Sequence, residues 1–123
     1  MINEAVCSYE VSKLLAEKNI FIDSFFKYTF DKELVLSSDE GLMLYSAPTH
    51  QSVMDHLRKK RNIFVEILHE AFDGELQYWI RVEQYIEGMF FVTLFQDDND
   101  KKYYSDYHIA VEKALTIILT EIL

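Results

Sequence analysis

Asp73-Gly74 stands between two runs in which apolar and polar residues alternate, Ile63–Phe72 and Leu76–Ile86. No local pattern in the chain constrains the fold more. A two-residue hairpin turn of type I′ needs positive φ at both central residues, which Asp-Gly tolerates, and alternation with period two puts successive side chains on opposite faces of a strand. A second short turn, Glu87-Gly88, is followed by another apolar run, Met89–Gln96. Strands joined by such turns predict an antiparallel meander that ends in the acidic loop Asp97–Asp100.

The segments before and after the meander carry a different period. Cys7, Val11, Leu14 and Leu15 recur at helical spacing, with Asn3 or Ser8 available as N-cap. Ser24–Leu36 alternates through Phe26, Tyr28 and Phe30, crosses Asp31-Lys32, and resumes at Leu34 and Leu36, which reads as two short strands. Asp39, Glu40 and Gly41 mark a turn, and Leu42–Ala47 is a short strand stopped by Pro48, since a residue before proline is held extended. Thr49 caps a second helix with Val53, Met54 and Leu57 on its apolar stripe and Arg58–Arg61 at its end. Ser105 or Asp106 caps a third, whose broad face holds Ala110, Val111, Ala114, Leu115, Ile118, Leu119 and Ile122.

The expected fold class is therefore α+β, three helices with an antiparallel β-meander in the order α-β-β-(β)-α-β-β-β-α, the strand in parentheses being Leu42–Ala47. The glycines and the one proline punctuate turns and mark no linker. Residues 1–123 are read as a single globular domain, long enough to bury about 65% of its unfolded surface.

Charge and cysteine content narrow the partners. Twelve Lys and Arg against 21 Asp and Glu give a net charge of −9, which argues against general binding to nucleic acid or anionic lipid. The same charge admits an acidic nucleic-acid mimic as a minor alternative. Cys7 is the only cysteine, so an internal disulfide and a cysteine-based zinc site within one chain are both excluded. The start MINEAVCSYE has no basic leader, and no apolar run approaches the roughly 20 residues of a membrane span. A cytoplasmic protein is expected.

Each constellation that would announce catalysis has a plainer reading. His50, His56, His69 and His108 lack the paired spacing of a metal motif, and Asp97–Asp100 lacks the glycine and terminal glutamate of a calcium loop. Ser105, Asp106 and His108 have the residue types of a hydrolase, but crowd into one helix start, where a cap explains them. Cys7 becomes a nucleophile only if a histidine approaches it in space, and its place on the first helix's apolar stripe points to a buried thiol. No glycine-rich phosphate loop is present. Arg58–Arg61 fan around their helix by about 100° per residue and complement its C-terminus rather than forming one flat patch. No catalytic residue, metal or cofactor is assigned.

The chain's eight Tyr, nine Phe and one Trp are more rings than its core requires, so some belong at the surface. One face of the meander collects Ile63, Val65, Ile67, Leu76, Tyr78, Ile80, Val82, Phe90, Val92 and Leu94, and is expected to be core. The other collects Phe64, Glu66, Leu68, Phe72, Trp79, Arg81, Tyr85, Phe91 and Phe95, aromatic side chains mixed with charge, as at protein interfaces. Phe91 and Trp79 decide whether another element covers it.

Three stretches carry a resemblance: Ser8-Tyr9-Glu10-Val11-Ser12-Lys13-Leu14-Leu15; Tyr45-Ser46-Ala47-Pro48-Thr49 through Val53-Met54-Asp55-His56-Leu57-Arg58; and Tyr107 through Ala110-Val111-Glu112-Lys113-Ala114-Leu115. In these the chain resembles a family of small uncharacterised proteins encoded by phages, prophages and mobile elements of gut bacteria. The resemblance implies a leading helix, an Ala-Pro-Thr turn opening a second helix, a strand hairpin and a closing amphipathic helix. It supplies no activity and no catalytic residues.

The expected function is a non-enzymatic protein-interaction module of a phage or mobile element, with inhibition of a host protein as an extension of that reading. Its interface residues are Trp79, Arg81, Tyr85, Phe91 and Phe64, and its partner is another protein or a second copy of itself as a homodimer. The alternative is a small-ligand, nucleotide-like binding protein in which aromatics sandwich a ring and Arg81 or Arg58 meets its phosphate.

Overall fold

Ser8 has an extended backbone and its Oγ accepts the amide of Val11 at 3.1 Å, so the first helix, α1, spans Tyr9–Glu17. Cys7 consequently lies before the helix, in a segment bridged to the start of the next helix through Val6 and Thr49, and not on the helical stripe that its spacing suggested. The computed structural model describes residues 5–37, 43–97 and 104–123, apart from the side chains of Met43 and Phe72. Asn3 as a cap, the turn at Asp39–Gly41, the loop beyond Asp97 and the facing of Phe72 lie outside those residues.

The elements after α1 are β1 (Phe26–Thr29), β2 (Leu34–Leu36), β3 (Met43–Ser46), α2 (His50–Arg61), β4 (Ile63–Phe72), β5 (Glu75–Tyr85), β6 (Phe91–Gln96) and α3 (Tyr107–Ile117), which continues into a π-helical turn, Ile118–Ile122. This is an α+β fold with two antiparallel three-stranded sheets, ordered β2-β1-β3 and β4-β5-β6. Among the described residues no helix is long and apolar enough to cross a membrane. The chain divides into two compact units, Met1–Val53 with Thr116–Leu123, and Met54–Leu115.

In the first unit, Tyr28 pairs with Leu34 on one side and Tyr45 on the other. Tyr9 on α1 meets the Tyr28 and Tyr45 rings edge-on, with centroids 5.7 and 5.5 Å away, and the Tyr28 hydroxyl donates to the Cys7 carbonyl at 2.8 Å. Such ring pairs contribute roughly 0.5–1.5 kcal/mol each beyond their buried area. Val11 and Leu15 of α1 and Ile118 and Leu119 near the C-terminus are buried here. Thr49 Oγ1 accepts the Ser52 amide at 3.1 Å and caps α2.

In the second unit, Asp73 and Gly74 have φ of 50° and 78°, the positive pair that a type I′ turn requires. The turn sets a register of unbroken pairs from Phe72↔Glu75 to Ile63↔Gln84. Ile63, Ile80 and Val82 are buried on the core face, and Ala110, Val111, Ala114 and Leu115 of α3 are fully buried too. Asp106 accepts the Ile109 amide at 3.0 Å, which identifies it rather than Ser105 as the cap of α3. The start of α3 is fixed to β5 by paired backbone bonds between Tyr78 and Tyr104 and by the Tyr78–Tyr107 ring contact at 5.8 Å.

The expected core face was drawn too long. Leu76 is 52% exposed and Phe90 60%, because Leu76 sits at the turn end of the hairpin and Phe90 precedes β6. Alternation assigns a side but not a depth. A β-bulge supplies the other correction. Val82 pairs with Phe95 but Glu83 pairs with Thr93, so Leu94 is an extra residue and Phe95 shares Val82's face instead of joining Phe91.

Candidate functional site

Cross-strand partners in an antiparallel sheet point to the same side. The pairs Phe64↔Glu83, Glu66↔Arg81, Leu68↔Trp79, Glu83↔Thr93 and Tyr85↔Phe91 therefore place Phe64, Trp79, Arg81, Tyr85 and Phe91 on one face of the second sheet. Phe91 is 50% exposed and Tyr85 37%, while Phe64, Trp79 and Arg81 are partly buried. Phe91 is the hub of the rings, with Phe64 at 5.4 Å and Tyr85 at 5.3 Å between centroids.

Arg81 lies between two carboxylates. Its Nη2 donates to Glu66 Oε2 at 2.7 Å and its Nε is 3.5 Å from Glu83 Oε1. The hydrogen bond from Arg81, then that with Glu83, holds the Glu66 carboxyl below its usual range. Glu83 is pushed up, first by its hydrogen bond with Glu66, then by burial and by the Glu66 charge, against the pull of Arg81. The Arg81 guanidinium is itself pushed up by the bond to Glu66. One carboxyl thus stays ionised and its neighbour keeps a proton to higher pH.

The signs for stability are opposite. Glu66, more acidic when folded, contributes stability above its unfolded value that is lost as pH falls through the folded one. Glu83, less acidic when folded, contributes below its unfolded value and loses that contribution as pH rises through the folded one. Glu83→Gln keeps a donor toward Glu66 and removes the second negative charge. It is expected to raise the melting temperature at pH 7 and to give no gain near pH 4, as read by circular dichroism melts. An equal shift at both pH values would count against this account.

The other candidates have structural partners. Arg58 donates to Asp55 at 2.8 Å within α2, so both arginines of the phosphate-binding alternative already engage carboxylates. His56, on the same helix, is held below the usual histidine range by burial and by Lys60 and Arg61. His69 and His108 are exposed, and Asp106 of the hydrolase-like trio serves as a helix cap. A histidine does approach Cys7. A ring nitrogen of His50 lies within 4.8 Å of its Sγ, and both residues are buried.

Asp97 is a structural residue that the sequence reading missed. β6 has six residues beside the eleven of β5, and where β6 ends, Asp97 replaces the next ladder pair. Its amide donates to the Ile80 carbonyl at 2.9 Å and its carboxylate accepts the Ile80 amide at 2.9 Å. The Tyr104 hydroxyl is pushed up by burial and then by the Asp97 charge. Asp97 looked like part of a solvated acidic loop, and nothing in its neighbours distinguishes it.

No protein-family model matches the chain, and no curated protein or solved structure is significantly similar to it.

Proposed function

We propose that the protein is a non-enzymatic interaction module that binds a protein partner through the Phe64, Tyr85 and Phe91 side of its second sheet. The observation that carries this reading is the three-ring cluster, half open to solvent at Phe91 and bordered by the ion pairs of Arg81. Rigid aromatic anchors lose little entropy on binding and, with arginine, dominate the energetics of interfaces. The resemblance to phage and mobile-element proteins suggests a host or phage protein as the partner, and a net charge of −9 favours a basic surface on it. The phosphate-binding alternative has less support, because a phosphate would have to displace Glu66 from Arg81 or Asp55 from Arg58.

The test uses wild type and Phe91→Ala. Light scattering reports self-association, and affinity capture with both baits reports other partners. Truncating an aromatic hot spot costs about 2 kcal/mol or more of binding, roughly a 30-fold loss, while the fold is expected to survive removal of a half-exposed ring. A dimer that becomes a folded monomer, or a partner held by wild type and lost by Phe91→Ala, supports the proposal. Association unaffected by Phe91→Ala overturns it.

A further inference from the structure

The first unit holds a cleft of about 340 Å³ between α1, the segment after it and the ends of the first sheet. Ser12 and Leu15 of α1 line it, with Phe26, Leu44 and Tyr45 from the strands and Asp23 from the connecting segment. Ser12 is the unusual member. It is 1% exposed, and its Oγ has no hydrogen-bond partner among the described residues. Buried hydroxyls are normally satisfied, and the exceptions ask for an explanation. Two other serines in the cleft wall are satisfied: Ser24 Oγ donates to the Ala47 carbonyl and Ser46 Oγ donates to that of Ile22 at 3.1 Å.

The described lining includes Asp23 but no Lys, Arg or His. An anion would meet a carboxylate and no counter-charge, whereas an amine would meet Asp23, a ring would meet Phe26, Leu44 and Tyr45, and a polar substituent would meet Ser12. We propose that this cleft is a binding site for a small aromatic amine, with Asp23 taking the ammonium group and Ser12 Oγ completing a hydrogen bond to the ligand. The site is independent of the sheet face described above, so either proposal stands or falls without the other.

Three matched probes test it: 2-phenylethylamine, 2-phenylethanol and 3-phenylpropionate, titrated against the ¹⁵N-labelled protein by NMR. Saturable shifts at Ser12, Asp23 and Tyr45 are expected, with the amine tightest and the acid at least several-fold weaker. Asp23→Asn brings the amine down to the alcohol. Ser12→Ala replaces a hydroxyl with no partner among the described residues by the best helix former, so the variant is expected to melt higher than wild type while binding the amine several-fold more weakly. Absence of saturable shifts with all three probes overturns the proposal, as does acid binding equal to amine binding or amine binding unchanged in both variants.

Discussion

Truncating Ile80 to alanine is expected to destabilise the protein by about 2–5 kcal/mol, the range for emptying a fully buried aliphatic site. Ile80 has no exposed surface, lies in the middle strand of the second sheet and pairs with Ile67. The loss is comparable with much of the ~5–15 kcal/mol that holds a typical domain together, so the variant is best measured by urea titration at low temperature. The control is Leu76→Ala, four residues away on the same face of the same strand, where the side chain is half exposed. Its cost is expected to stay below ~1 kcal/mol. Equal losses at the two sites would mean that the core extends to the hairpin end.

The second large effect is expected at Asp97. Asp97→Ala removes a charged acceptor from the buried amide of Ile80, and a hydrogen bond to a charged group contributes about 1.5–3 kcal/mol, with a further cost if the amide finds no other partner. A loss of about 2–4 kcal/mol follows. Asp97→Asn retains an acceptor without the charge and should recover part of it. Hydrogen exchange separates this from a general loosening, because the Ile80 amide should lose protection in Asp97→Ala more than the amides of β4. Unchanged protection at Ile80 would refute the role assigned to Asp97.

The contrast between these residues shows what the chain discloses. Asp73-Gly74, Thr49 and Asp106 were legible because each meets a local demand, positive φ in a turn or an acceptor at a helix start, that few residue types satisfy. The five candidate interface residues were placed on a common face by alternation along β4, β5 and β6. Asp97 was illegible because its partner is seventeen residues back in the chain. Ser12 was equally silent, since a serine within a helix gives no sign that its hydroxyl will be enclosed with no partner among the described residues. Leu76 and Phe90 failed because period two says which way a side chain turns and nothing of how much protein lies beyond it.

The extra residue at Leu94 gives β6 two allegiances. Phe91 and Phe95 are four apart and would share a side in a regular strand, yet Phe91 turns outward beside Tyr85 while Phe95 turns inward beside Val82. The bulge acts as a swivel between the segments, so the outward end can change its chemistry without disturbing the packing of the inward end. Mutation can therefore change the rings that the outward face displays while the interior is inherited intact, and relatives of this chain would be better aligned by the position of that swivel than by those rings.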